Sequence, residues 1–297
     1  MISLNLKPQD NIQEILDGYP LNEEITLYLE AGTYIQKLRL KHNHLKIFGS
    51  TTGETIITFN DYSYKMHEDG LLYNTFRTST VMILGDHCEL RNLTIQNHAG
   101  SHLTIGQAIA LTLYGNHTKL TDCRLLGHQD TIFLGPLPKD LCERYDHFLP
   151  LEERHNRHLH HFFDHCYIEG DVDFIFGSGT ALFNHCEIIS IGKGFISAPS
   201  TYQTFAYGII FHRCKIKNHF LEPIILARPW REYGSTIFSY CEFEGLIDSL
   251  RYDAWDKTNI RFYEIPYISS LLSKELVIEE VEQLNSYCLA HFNCSIK

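Results

Sequence analysis

The chain has 297 residues, 44% hydrophobic and 21% charged, without low-complexity runs, a composition that fits a globular protein able to bury a large core. A formal charge of −11 argues against a nucleic-acid partner and against an anionic membrane surface, and any acidic ligand would need local basic groups. No apolar run approaches membrane-span length, "MISLNLKPQDNIQEIL" lacks the features of a secretion signal, and nine cysteines, an odd number, read as thiols, so a cytoplasmic chain is expected.

In chain order, the first element is a short helix in "PQDNIQEILDGYP" (8–20), with Ile12, Ile15 and Leu16 at helical spacing and a stop at Gly18. Downstream, six cysteines recur in one local pattern: Cys88, Cys123, Cys166, Cys186, Cys214 and Cys241. An apolar residue stands three positions before each, except that Gly85 precedes Cys88. Short apolar-alternating runs follow, at irregular spacings of twenty-odd residues and more. Short strands, turns and a loosely recurring unit predict a parallel β-solenoid with cysteines in an interior ladder. The rival, a metal site, has no CxxC or tight Cys/His spacing behind it. "SKELVIEEVEQLNSYCLAHF" (273–292) reads as an amphipathic helix, and both terminal helices are expected to cap the solenoid's ends.

Four segments set polar groups in tight apolar or glycine context: "GQAIALTLYG" with Gln107, "GHQDTIFLG" with Gln129 and Asp130, "GDVDFIFGSG" with Asp171 and Asp173, and "LARPWREYGS" with Arg228 and Trp230. Each has an ordinary structural alternative: a turn, a strand start, or a cation packed on an aromatic. Together they carry more weight, because a parallel coil stacks residues distant in sequence on one face. An extended 171–173 stretch would point both acids the same way.

These segments resemble the signature blocks of the pectin methylesterase (pectinesterase) family of carbohydrate esterases: "HQDTIFLG" its QDTL block, "GDVDFIFGSGTALF" its VDFIFG block and "LARPWREYGSTIF" its LGRPW block. The resemblance covers about residues 25–265 and implies a single-domain (1–297), all-β, right-handed parallel β-helix that hydrolyses galacturonate methyl esters without metal or organic cofactor. It implies Asp173 as nucleophile, Asp130 as general acid/base, Gln107 and Gln129 as oxyanion donors and Arg228 as partner of the nucleophile. Trp230, Phe133 and Phe176, with Arg228, would contact a galacturonide substrate, as pectin or, preferably, imported oligomers. A deacetylase of pectic oligosaccharides and a non-catalytic carbohydrate-binding β-helix are the alternatives. A glycosidase also pairs carboxylates, but two amides suit a tetrahedral acyl intermediate better than an oxocarbenium-like state.

The sequence departs from the family's pattern at residues 136–160, an insertion rich in histidine (His147, His155, His158, His160) and followed by His161 and His165. It is expected to be a solvated loop rather than a metal site, and to wall in the sugar site in favour of short oligomers. Asp171 stands where the family has threonine, and is expected to be solvated or bonded to that loop. Ala227 replaces the glycine of LGRPW, a change expected to narrow the cleft.

Overall fold

One circuit of the chain lays down three short strands, Leu111–Leu113, Thr118–Thr121 and Arg124–Leu126, and the next circuit begins at Ile132–Leu134. Every pairing between these strands is parallel and links successive circuits: Leu111 lies beside Ile132, Leu120 beside Phe163, Leu125 beside Ile168. The computed structural model describes residues 1–297 and shows the expected parallel β-helix, with sheets of eleven, seven and eight strands. Its connections follow the right-handed sense that parallel crossovers adopt almost without exception.

Period-2 alternation decides what is inside. In the eleven-stranded sheet the inward column runs Leu27, Ile47, Leu90, Leu120, Phe163, Phe183, Phe211, Phe238. The four phenylalanine rings stack with centroids 4.3, 5.1 and 4.7 Å apart, close to the ~4.8 Å strand spacing, so the sheet itself brings them into contact.

Five cysteines form the predicted ladder at the corner between the eleven- and eight-stranded sheets. Each follows a residue held at positive φ: Asp122, His165, His185, Arg213 and Tyr240, between 50° and 53°. The thiols of Cys166, Cys186, Cys214 and Cys241 donate to carbonyls one circuit back, those of Leu120, Phe163, Phe183 and Phe211, at 3.2–3.6 Å. Cys88 shares the positive-φ predecessor, His87 at 58°, but not the corner. It sits at a different corner, before Glu89–Arg91, and its thiol points at the His42 and Gly85 carbonyls. The glycine three positions before it was the sign of that difference. Burial holds the thiols of Cys123, Cys166, Cys186 and Cys214 well above the usual range, so they behave as small apolar groups.

The N-terminal helix spans Ile12–Asp17 and buries Ile12 and Leu16 in the main core; Asn11 caps it by accepting the Glu14 N–H. The C-terminal helix spans Ile278–Phe292 rather than the whole of 273–292, and it does not lie across an open end. Leu284, Cys288 and Phe292 pack on Leu182, Ile210 and Ile237, the outward neighbours of the inward Phe183, Phe211 and Phe238. Those outward positions are apolar, so the helix covers a hydrophobic stripe on the flank of the sheet.

Residues 136–160 are not a solvated loop. They contain a helix, Lys139–Arg144, and bury Leu137, Leu141 and Leu149 against Phe76, Met82, Tyr114, Phe133 and Phe176. Both flanks are tied down: Arg231 grips Asp140 at 2.8 and 3.2 Å, and Arg39 reaches buried Glu153 at 2.6 Å. The insertion's histidines are taken up by aromatic packing, with the His158 and His160 rings 4.5 Å apart. His155 meets Tyr114 edge-on, His158 stacks on Phe205, His160 stacks on His291, and His165 stacks on His185. His161 is fully enclosed, and burial pushes its imidazole down to about 3.

Candidate active site

Three of the four polar segments occupy equivalent corners of successive circuits, just before Leu111–Leu113, Ile132–Leu134 and Ile175–Gly177, while Arg228 and Trp230 follow Ile225–Ala227, two circuits on in the same sheet. The Ala108 N–H donates to the Gln129 carbonyl at 3.2 Å, and the Asp130 N–H donates to the Val172 carbonyl at 3.1 Å. Asp130 and Asp173 take left-handed backbone conformations, φ 66° and 49°, at these corners. Aspartate tolerates that region better than most residues do, at a cost of about 1–2 kcal/mol. The 171–173 stretch is therefore a turn and not a strand, so the two acids do not share a face.

Gln107, Gln129, Asp130, Asp173, Phe176, Arg228 and Trp230 all line one cavity of about 550 Å³. Arg228 donates from Nε to Asp173 Oδ1 at 2.8 Å and from its terminal nitrogen to Oδ2 at 2.6 Å, a bidentate fork. Its guanidinium is sandwiched between Phe195 and Trp255, 3.9 Å from each ring centre. Neither Gln107 nor Gln129 spends its side-chain amide on another protein group, which leaves both free to donate into the cavity. Trp230 stands edge-on to Phe176 with centroids 5.6 Å apart, forming an aromatic wall.

Both carboxyls are buried, and their environments differ. Burial pushes Asp173 up while the Arg228 guanidinium pulls it back toward the ionised form; burial outweighs the arginine, so the net shift is upward rather than the drop expected from the pair alone. Asp130 is pushed well above the usual carboxylate range, first by burial and then by the charge of Asp173, with Arg228 only partly offsetting this. Asp130 has no such fork. The pair is thus arranged for one ionised and one protonated carboxyl in one cavity.

Phe133 is the exception among the expected substrate contacts. It is fully buried, pinned between Phe76, Tyr114 and Phe176, so it supports Phe176 from beneath and does not reach the cavity. Ala227 does not narrow the cleft either: its side chain belongs to the main core. Asp171 is neither solvated nor bonded to the insertion, since it binds His102 and His128.

Sequence reasoning missed three contributors. Trp255, one of only two tryptophans, covers the arginine, and its "AWD" context carried the signal. From the insertion, Arg144 and Tyr145 also line the cavity, and Arg144 has no acidic partner there. A larger cleft of about 740 Å³ adjoins, sharing Phe76. Its cations are already engaged: Lys37 with Asp61, Arg39 with Glu153, Lys41 with Glu152 and Arg77 with Asp69. It holds none of the convergent acids and amides.

A family model described as Pectinesterase matches residues 9–136 and 154–267, and so breaks across the insertion. Pectinesterase 31 of Arabidopsis thaliana is 28% identical over 270 residues, covering 86% of this chain and 77% of its own length. Pectinesterase 2 of Citrus sinensis is 27% identical over 77% of this chain, of which the match spans only 41% of the relative. Among solved structures, the carrot pectin methylesterase superposes with a TM-score of 0.75 at 20% identity, covering 96% of this chain and 90% of that one. The pectin methylesterase of Erwinia chrysanthemi gives 0.72 at 21%, covering 100% and 98%. At that identity the superpositions carry the fold, a right-handed parallel β-helix.

Proposed function

The chain belongs to the pectinesterase family of carboxylic ester hydrolases, and on that premise we propose that it removes methyl esters from galacturonate units through an acyl-enzyme on Asp173. The observation that carries this reading is the pairing of an arginine-forked carboxylate with a second, more basic carboxyl and two free amides in one cavity.

Asp173 attacks the ester carbonyl carbon, and the electron pair of the C=O moves to its oxygen. Gln107 and Gln129 donate to that oxyanion, a contribution of about 3–4 kcal/mol by the measure of other oxyanion donors. As the intermediate collapses, the C–O bond to methoxide breaks and Asp130 supplies the proton, releasing methanol. The resulting Asp130 carboxylate takes one proton from water, whose oxygen attacks the galacturonyl carbon of the mixed anhydride; the bond to Asp173 breaks, freeing its carboxylate, and the product acid loses the second water proton to solvent. Trp230 and Phe176 offer an apolar wall for a sugar ring.

The insertion supports a preference for short oligomers. Its Asp140–Arg231 and Arg39–Glu153 ties hold Leu141, Arg144 and Tyr145 against one side of the cavity, where a polymer would otherwise extend. The nine unpaired cysteines support work in a reducing compartment on imported oligomers.

The test is incubation with methylated and acetylated oligogalacturonides, with methanol and acetate measured separately. Methanol release lost in Asp173→Ala is expected. Full activity in Asp173→Asn would remove the nucleophile assignment, acetate in place of methanol would make the protein a deacetylase, and binding without either product would make it a carbohydrate-binding module.

A further inference from the structure

Just outside the cavity, one carboxylate reaches the corners that carry the reacting groups. Asp171, 4% exposed, sits two residues before Asp173. Its Oδ2 accepts from Nδ1 of His128 at 3.0 Å and from Nδ1 of His102 at 3.0 Å, while Oδ1 accepts the Val172 N–H at 2.7 Å. Both rings must carry their proton on Nδ1 to donate, and both remain partly exposed on the far side. His128 directly precedes Gln129 and Asp130. His102 opens the short helix His102–Ile105, after which Gly106, at φ +71°, turns the chain into Gln107.

The following circuit presses on Asp171 from behind. A Cβ placed on Gly192 would lie 2.7 Å from the Asp171 Cβ, and one on Gly194 would lie 2.4 Å from the Asp171 carbonyl oxygen. Glycine backbone thus packs closely behind Asp171, where side chains at 192 and 194 would collide with it. A threonine at 171, as in the family motif, carries one hydroxyl on a shorter arm and cannot hold two imidazoles.

We propose that Asp171 is a positioning residue of this chain: by holding His102 and His128 on one oxygen, it locks the corners bearing Gln107 and Gln129–Asp130 against the corner bearing Asp173. This rests on the ester-hydrolase reading above. The physical lever is that an error of ~1 Å in the placement of reacting groups costs on the order of 100-fold in rate. Other charges around the clamp are Asp130 and Glu169, both acidic, while Lys193 in the adjacent turn is taken by Glu222 at 2.6 Å. The two imidazoles pull the Asp171 carboxyl below its usual value despite burial, and Asp171 in turn raises His128. The clamp therefore remains intact through the neutral range.

The experiment compares Asp171→Ala, Asp171→Asn and Asp171→Thr in the full chain, with kcat and KM for methanol release from methylated oligogalacturonides and imidazole titration by NMR. Asp171→Ala and Asp171→Thr should lower kcat by about 10- to 100-fold with KM within about twofold, and Asp171→Asn, which keeps a carbonyl acceptor, should recover most of that loss. His128 should titrate at lower pH in all three. A kcat within about twofold of the parent in Asp171→Ala would overturn the proposal, as would an Asp171→Asn loss as large as that of Asp171→Ala, which would assign the effect to charge. If Asp171→Ala does not fold, His102→Ala and His128→Ala each cut one arm. A lowered kcat at constant KM in either supports the clamp, and unchanged kcat in both overturns it. A parent chain that releases no methanol would sink the ester-hydrolase reading instead, while the His128 titration would still report the clamp.

Discussion

Replacing Arg228 with leucine removes the only cation paired with a carboxylate that is almost completely enclosed. The side chains of Asp173 and Arg228 are 10% and 19% exposed, and two charge-assisted hydrogen bonds join them. Breaking a buried pair by deleting one partner costs about 3–5 kcal/mol, because the survivor is left charged in a poorly solvating site. Asp173 limits that cost by taking up a proton, at ~1.4 kcal/mol per pH unit between its unfolded value and the ambient pH. The sign follows from linkage. An acid whose folded pKa lies above its unfolded value of ~3.9 is stabilising when protonated, and that stability is lost as pH rises toward the folded value. The Arg228→Leu chain should therefore approach the parent's stability near pH 4 and fall progressively below it toward pH 8, by up to about 3–5 kcal/mol in denaturant titrations. Methanol release should show the matching change: the acid limb of the pH–rate profile moves upward, and kcat at neutral pH falls by about two to four powers of ten. A stability deficit that does not vary with pH, together with an unmoved acid limb, would refute the role given to the pair.

Freeing the insertion by Leu141→Asn with Leu149→Asn should raise turnover on intact pectin relative to short oligomers by at least about threefold, since both leucines are buried anchors; an unchanged ratio would end the oligomer preference. Arg144→Gln should raise KM for oligomers carrying free carboxylates and leave fully esterified ones unaffected, a difference that shrinks in about 0.5 M salt as charges are screened. Phe211→Ala, in the middle of the ring stack, should cost about 3–5 kcal/mol in urea titration. A loss under ~1 kcal/mol would mean that the neighbouring rings collapse into the gap.

The parts of this protein that repeat were legible in the sequence. Cys123 through Cys241, each with its apolar residue three positions earlier, report one corner visited once per circuit, and the same stacking gathers Gln107, Asp130, Asp173 and Arg228. What remained hidden were contacts that do not repeat. The outward Leu182, Ile210 and Ile237 are spread over three strands, so only the fold reveals the stripe that receives the C-terminal helix. The insertion looked polar because its charges outnumber its anchors, yet Leu137, Leu141 and Leu149 find an apolar bed supplied by four different circuits. Alternation misled at Asp171 because it holds for strands, whereas residues 171–173 turn a corner with Asp173 at positive φ.

The corner-on-corner hydrogen bonds that join Gln107, Asp130 and Asp173 have one further consequence. Under the proposed roles, Gln107, the Gln129–Asp130 pair and Asp173 lie on three successive rungs of a ladder whose pitch is the ~4.8 Å repeat of paired strands. That pitch is a property of the peptide backbone and not of any side chain. The axial gauge of the catalytic set is therefore indifferent to most substitutions in the walls around it, and evolution can rebuild the cleft, as the insertion does here, without recalibrating the chemistry.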